Sequence, residues 1–317
     1  MKALKLSVLD LVPILDEADA TFALAKAVEL AQTAEQLGYK RYWTAEHHDM
    51  PNLACTAPEV LLAHIGARTE SIRLGSGAVL LPHYKPLKVA ESFHLLASLY
   101  PGRVDLGIGR APGGSAHVSI ALSGNFLENV RLLPEALKEL TKLLEGSFEL
   151  DGHKVTARPT PPVPPELWML GTNRKSAAYA AEIGAGYVFG QFMSDVDGEE
   201  VLAAYRDAFI PSPLSPAPQT IVAVGVICAE TEEDAEQLAA TGSMTAFRQE
   251  GSGDEPASSL ASSRKWLVGT PHNIASRLKQ LSLLYGVDEF IVVTMIKDYK
   301  KRLQSYALLA EAVFSST

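Results

Sequence analysis

Residues 37–49 read LGYKRYWTAEHHD, and the order of residue types in this stretch decides the fold. A glycine follows a segment with helical periodicity, an apolar strand follows the glycine, and polar side chains follow the strand. Glycine takes the left-handed conformation that ends a helix at little cost, so Gly38 predicts a helix stop just before a strand. The same order recurs at Gly184 and Gly286.

Apolar, β-branched runs alternate with segments of helical periodicity along the whole chain. Phe22–Leu37 is one such helical segment, with its apolar residues on a single stripe. Several of the runs are apolar on both faces, which is typical of parallel strands buried on both sides. The eight predicted strands are Leu4–Asp10, Arg41–Glu46, Ile72–Leu80, Arg103–Gly109, Leu167–Gly171, Tyr187–Gly190, Thr220–Ala229 and Glu289–Thr294.

Eight strands in a strand–helix alternation favour a closed barrel over an open sheet. We therefore predict an α/β protein with one (β/α)₈ TIM-barrel domain over residues 1–317. A doubly wound parallel sheet is the structural alternative. Catalytic groups of such barrels lie at the carboxyl ends of the strands, so the chemistry is expected there.

Several segments interrupt the alternation. The segment 147–157 predicts a small hairpin that turns at Asp151–Gly152. The proline-rich stretches 158–165 and 211–218 resemble interdomain linkers, but an apolar strand follows each directly, so we predict stiff loops feeding strands five and seven. Residues 241–265, rich in glycine and serine, form an insertion between strands seven and eight, where we expect a mobile lid.

Composition excludes several classes of function. The net charge of −9 argues against nucleic acid or an anionic membrane as the main partner. The two cysteines lie far apart, so neither a disulfide framework nor a thiolate metal site is expected. We expect no membrane span, because no apolar run reaches the required length, and we predict a cytoplasmic protein.

Polar side chains end the second predicted strand. Glu46, His47, His48 and Asp49 follow it directly, at the end where barrel sites form. We interpret at least one histidine as catalytic or ligand-contacting. A solvated loop is the simpler alternative. A metal site is disfavoured, because adjacent histidines on an extended chain point to opposite faces.

Glycines interrupt the third strand and small residues end the fourth. Gly75 and Gly77 weaken a strand, and we interpret both as allowing a flat ligand to approach the backbone, with barrel packing as the alternative. The run from Gly107 to Gly113 has the spacing GxGxxxG, which departs from the dinucleotide fingerprint. We interpret Arg110 as a clamp for a phosphate or a carboxylate.

The fifth strand leads into a predicted helix start. Asn173 can cap this helix, and Ser176 and free backbone N–H groups lie in its first turn, which is a suitable anion site. An ordinary capped helix explains the segment equally well. Because Arg110 and residues 173–176 follow adjacent strands, together they could hold one phosphate.

These motifs together resemble the bacterial luciferase-like flavin monooxygenase family, over nearly the whole chain. The matching pieces are Glu46-His47-His48, LGSGAVLLPHYKP at 74–86, YPGRVDLGIGR at 100–110, GTNRKSA at 171–177, and VGTP at 268–271 followed by GVDEFIVVT at 286–294.

The resemblance implies a TIM barrel that binds FMN at the strand ends, commonly as a homodimer supplied with reduced flavin by a separate reductase. It implies oxidation of a small organic substrate with O₂ through a C4a-peroxyflavin. By position, His47 matches the catalytic histidine. Arg110, Asn173 and Ser176 match the phosphate ligands, and Ser76, Gly77 and Ala78 match the segment beside the flavin ring, with a cis peptide expected at Gly77–Ala78. A deazaflavin-dependent oxidoreductase and a non-catalytic flavin-binding protein are the alternatives.

Overall fold

The computed structural model describes residues 3–15, 18–241 and 265–315, and eight of its strands close into a parallel barrel. The barrel is closed because β9 pairs with both β8 and β10. In order around the barrel the strands are β1 (Lys5–Asp10), β2 (Arg41–Thr44), β3 (Arg73–Ser76), β5 (Val104–Gly109), β8 (Glu166–Gly171), β9 (Gly186–Gly190), β10 (Thr220–Cys228) and β12 (Glu289–Val293). The predicted TIM barrel is confirmed, and the doubly wound open sheet is wrong.

Helices connect the barrel strands, and most of them pack against the outside of the sheet. They are α1 (Ala20–Gln36), α2 (Pro58–Gly66), α3 (Pro86–Leu99), α4 (Ala116–Ser123), α5 (Phe126–Arg131), α6 (Leu133–Glu145), α7 (Arg174–Glu182), α8 (Gly198–Ala208), α9 (Glu232–Thr241), α10 (Pro271–Tyr285) and α11 (Tyr299–Phe314). The glycine stops behave as predicted, since Gly38, Gly184 and Gly286 all have positive φ just past a helix. No helix within the described ranges is both long and apolar enough to cross a membrane.

Four short strands lie outside the barrel circle. The predicted third strand is divided, because β3 ends at Ser76 and β4 (Val79–Leu80) resumes pairing with β5. The predicted hairpin is present as β6 (Glu149–Leu150) and β7 (His153–Lys154). The last, β11 (Trp266–Gly269), pairs with the second half of β10. The expected lid at 241–265 lies, apart from its two end residues, outside the described residues.

Apolar side chains form two separate clusters on the two sides of the barrel wall. The larger one packs the helices against the outside of the sheet. The smaller one fills the barrel interior, where Trp43 and Trp168 meet edge to face with ring centroids 5.9 Å apart. The interior is therefore a packed core, as in other barrels of this size.

Charged side chains close the amino-terminal end of the barrel. Arg41, almost fully buried, donates to Asp105 at 2.8 Å, to Glu166 at 3.0 Å and to Glu289 at 2.7 Å. These residues lie on four different barrel strands, three of them at the first residue of the strand. Because this end is filled by paired charges, a ligand is expected at the carboxyl ends of the strands, which we call the barrel mouth.

Candidate functional site at the barrel mouth

The loop that carries His47 is fixed by backbone hydrogen bonds on two sides. The His47 N–H donates to the carbonyl of Cys55, and the His48 N–H donates to the carbonyl of Gly113. The first bond closes the loop on itself, and the second ties it to the loop after β5. His47 is thus held three residues beyond the end of β2.

A buried carboxylate joins this loop to the segment after β3. Glu46 is 2% exposed, and its Oε2 accepts from the backbone N–H of Leu80 at 3.0 Å. Its Oε1 accepts from the hydroxyl of Tyr84 and contacts Nε2 of His48, both at 2.7 Å. Burial and the neighbouring Glu46 charge raise the pKa of Tyr84, so the hydroxyl stays a donor. The imidazole of His48 is therefore held by its contact with the Glu46 carboxylate.

The ionisation of His47 differs from what its predicted role would suggest. A catalytic proton donor or acceptor is expected to have a pKa near neutrality. Burial lowers the pKa of His47 to about 4, and the opposing charge of Glu46 does not compensate. At neutral pH the imidazole is uncharged, so it can accept a proton or donate its one N–H but does not act as an imidazolium.

The strand glycines leave space that side chains of the barrel interior occupy. A Cβ added at Gly75 would lie 2.3 Å from Nε1 of Trp43, and one added at Gly77 would lie 2.6 Å from a methyl group of Leu9. Side chains of the barrel interior already fill both spaces. The packing alternative therefore accounts for the missing side chains at Gly75 and Gly77, and the approach of a ligand to this backbone stays a prediction.

The Gly77–Ala78 peptide bond is cis, as the family resemblance implied. It lies between β3 and β4, beside the end of β5, because a Cβ added at Gly109 would be 3.1 Å from the Cβ of Ala78. The neighbouring Ser76 is fully buried, and its hydroxyl donates to the carbonyl of Gly107 at 2.8 Å. That hydroxyl is engaged within the barrel wall, which leaves the backbone of Gly77 and Ala78 as the part that can face a ligand.

Two of the residues that we predicted to bind a phosphate, Asn173 and Ser176, lie beside Tyr187 of β9. Its hydroxyl lies 3.1 Å from Oγ of Ser176 and donates to the carbonyl of Asn173 at 3.3 Å. Burial raises the pKa of Tyr187 to about 12, while these hydrogen bonds and the positive charge of Arg110 act in the opposite direction. Arg110 directly follows β5, which pairs with β8, and α7 begins just after β8, so Arg110 and this helix start follow neighbouring strands. No carboxylate in the described ranges forms an ion pair with Arg110.

The start of α7 is capped but retains anion-binding capacity. Oδ1 of Asn173 accepts from the backbone N–H groups of Lys175 at 3.1 Å and Ser176 at 3.2 Å. The N–H of Arg174 and the positive end of the helix dipole remain available to an anion. Ser176 is 1% exposed and donates its hydroxyl to Asn173, so it supports the cap from behind. The arginine after β5 and this helix start, at the ends of neighbouring strands, fit a phosphate group.

Sequence reasoning missed two residues of this site. Tyr187 lies inside a strand that we predicted as apolar, and only its hydroxyl distinguished it. Gln191 directly follows β9, just as the polar residues that we singled out directly follow the second predicted strand. The expectation that functional residues lie at the carboxyl ends of barrel strands could have identified Gln191. A single polar residue at that position forms no recognisable motif, so it was overlooked.

The chain is thus a (β/α)₈ barrel with an arginine, unpaired among the described residues, and a helix start after its fourth and fifth barrel strands and a histidine after its second. Residues 5–287 match the luciferase-like monooxygenase family. The chain belongs to this family, which makes it an oxidoreductase.

Similar proteins cover the whole length of the chain. An N-acetyl-S-alkylcysteine monooxygenase of Bacillus subtilis is 37% identical, with 99% of each chain covered. A luciferase-like monooxygenase of Escherichia coli is 33% identical over 97% of this chain and 96% of its own length. The crystal structure of apo-MsnO8 is 38% identical and superposes with a TM-score of 0.89, covering 99% of both chains.

More distant structures share the fold alone. The oxygenating constituent of 3,6-diketocamphane monooxygenase, from a Pseudomonas putida plasmid and in complex with FMN, is 20% identical with a TM-score of 0.75, and the match covers 98% of both chains. An F420-dependent secondary alcohol dehydrogenase is 16% identical with a TM-score of 0.64, covering 98% of this chain and 99% of its own.

Proposed function

We propose that this protein is an FMN-dependent monooxygenase that uses reduced flavin and O₂ to oxidise a small organic substrate. The observation that carries the proposal is the position of Arg110, which has no carboxylate partner among the described residues. It directly follows β5, and α7 begins just after the neighbouring strand β8. A guanidinium and a helix start together bind a phosphate monoester, which is the anionic end of FMN.

Each predicted residue has a defined task in this proposal. Arg110 and the start of α7, organised by Asn173 and Ser176, hold the phosphate. The backbone of Gly77 and Ala78 borders the ring. Bound reduced flavin supplies the electrons that activate O₂. The neutral imidazole of His47 accepts or donates a proton at the mouth, and the packed interior below it limits water.

We expect Arg110→Ala to weaken FMN binding by roughly 10- to 100-fold, since charge-assisted hydrogen bonds contribute about 1.5–3 kcal/mol. The measurement is quenching of flavin fluorescence on titration with purified protein, with oxidised FMN, and anaerobic calorimetry with reduced FMN. Arg174→Ala is the matched control. It removes the same charge from the same helix start, but its side chain is 66% exposed and pairs with Glu200. Equal losses in the two variants would contradict the proposed anchor.

Ligand preference and turnover distinguish two other functions from the proposed one. The F420-dependent fold relative makes a deazaflavin enzyme the second candidate, and tighter binding of the deazaflavin than of FMN would favour it. A non-catalytic flavin-binding protein would bind FMN without accelerating O₂ uptake. The substrate panel for O₂ uptake begins with N-acetyl-S-alkylcysteines, because of the relative of that activity, and includes aldehydes and hydrocarbons.

The proposal also includes a homodimer and a separate flavin reductase as the source of reduced FMN. Light scattering coupled to size-exclusion chromatography measures the first. Comparing turnover with photoreduced FMN and with an added NADH-dependent reductase tests the second.

A further inference from the structure

The side-chain oxygen of Gln191 is buried at the barrel mouth without a hydrogen-bond partner in the described part of the chain. Leaving a buried acceptor unpaired costs free energy, and native structures do so rarely outside functional sites. Gln191 begins the short 3₁₀ helix Gln191–Met193 directly after β9, at the end of the barrel where a ligand is expected.

The turn that carries Gln191 is attached to the anion anchor. The hydroxyl of Ser194 donates to the carbonyl of Thr172 at 2.8 Å, and a Cβ added at Gly190 would lie 3.3 Å from the methyl group of Thr172. Thr172 immediately precedes Asn173, the cap of α7. The strand before the turn also supplies Tyr187. Gln191 is therefore held at a fixed position relative to the proposed phosphate site.

The turn that carries Gln191 packs against the apolar barrel interior. Leu170 and Phe192 lie against the cluster that fills the barrel interior, and Phe192 meets Trp266 edge to face with centroids 6.1 Å apart. A carboxamide among such side chains suits a flat ligand with apolar faces and one polar edge. The pyrimidinedione edge of a flavin ring presents an N–H between two carbonyls, and a carboxamide offers an acceptor beside a donor.

We infer that Gln191 is a flavin-contacting residue whose carboxamide accepts a hydrogen bond from the ring N3–H of FMN. The inference rests on the proposed function, because it requires that FMN binds at the barrel mouth. It assigns the polar edge of the ring to the end of β9, whereas the phosphate is assigned to the ends of β5 and β8.

A double-mutant cycle between protein and ligand tests this contact. The ligands are FMN and FMN methylated at N3, and the proteins are wild type and Gln191→Leu. Fluorescence quenching gives each affinity. We expect N3-methylation to weaken binding to the wild type about tenfold, and Gln191→Leu to weaken FMN binding by a similar factor. In Gln191→Leu, methylation should then have little further effect. Met193→Leu, at an exposed residue of the same turn, should behave as wild type.

Thermal unfolding of the apoprotein separates a ligand contact from a structural role. Because Gln191→Leu replaces an unpaired buried acceptor with an apolar group, the apo variant should be at least as stable as wild type. The upward shift of the unfolding temperature caused by saturating FMN should become smaller. A destabilised apo variant, or independent effects of methylation and mutation, would overturn the assignment of Gln191. A wild-type protein that does not bind FMN would overturn the proposed function as well.

Discussion

The imidazole of His47 is partly exposed at the barrel mouth, yet burial of its remaining surface lowers its pKa to about 4. The sequence predicted the position of this residue from the polar run after β2. It could not predict the ionisation, because the pKa depends on how closely the loops at 49–55 and after β5 pack around the ring. The sequence gives the identity of the residue, but the solvent exposure that sets its pKa depends on the folded structure around it.

The depressed pKa of His47 predicts a pH dependence of stability. Between pH about 6.5 and about 4 the unfolded chain binds a proton that folded His47 does not, so the free energy of unfolding should fall as the pH falls through this range. The contribution is at most about 3–4 kcal/mol, for a pKa difference of roughly 2.5 units. Urea unfolding at a series of pH values measures it.

His47→Gln should reduce that slope, and His153→Gln, at an exposed position in the hairpin, should leave it unchanged. If the slope of His47→Gln between pH 4 and 6.5 equals that of the wild type, His47 is not the group responsible.

At the scale of elements, the third strand shows what a linear pattern leaves undecided. Glycines inside a strand indicate a close approach, and the approaching group is not encoded nearby. For Gly75 it is Trp43, more than 30 residues earlier on β2, and for Gly77 it is Leu9 on β1. The ends of the helices at Gly38 and Gly286 were predictable because their cause lies in neighbouring residues. The packing partners of a glycine on another strand could not be predicted, because they lie far away in the sequence.

We expect Gly75→Ala to destabilise the protein by about 1–3 kcal/mol, because a methyl group there would overlap the Trp43 indole and force it to move. The free energy of unfolding in urea measures this. Gly190→Ala is the control, since its nearest neighbours would be 3.3 Å away, at the flexible end of Met193 and the methyl group of Thr172. A Gly75→Ala variant as stable as Gly190→Ala would contradict the packing interpretation.

At the scale of the whole molecule, the two ends of the barrel have different chemistry. The amino-terminal end is closed by Arg41 and its three carboxylates, and the mouth carries His47, Arg110 and Gln191. The alternation of strands and helices made the closed barrel predictable, because eight similar units leave few topologies. The charged closure was not predictable, since Arg41, Asp105 and Glu289 belong to separate motifs that only the closed circle brings together.

Removing Arg41 should therefore weaken the barrel without changing the mouth. We expect Arg41→Met to lower the free energy of unfolding by up to about 3–5 kcal/mol, because Asp105 and Glu289 lose the buried cation that they share. The two carboxylates keep Arg73 and Lys40, respectively, as ion-pair partners. The FMN affinity of the folded fraction should stay as in wild type. Arg131→Ala breaks a pair in which the arginine is 68% exposed, and should leave stability unchanged. Denaturant titrations and flavin quenching on the same samples distinguish the two effects.

The strand β10 has two partners on one edge, β9 along its first half and β11 along its second. As a result, the chain leaves the barrel at α9 and rejoins the sheet at β11. The pairing of β11 with β10 is made by backbone hydrogen bonds, which do not depend on side chains. Residues 242–264 thus begin and end at positions set by the barrel itself. A chimaera that carries another family member's residues in place of 242–264 should therefore keep the register of β10 with β9 and β11, and with it the fold of the barrel.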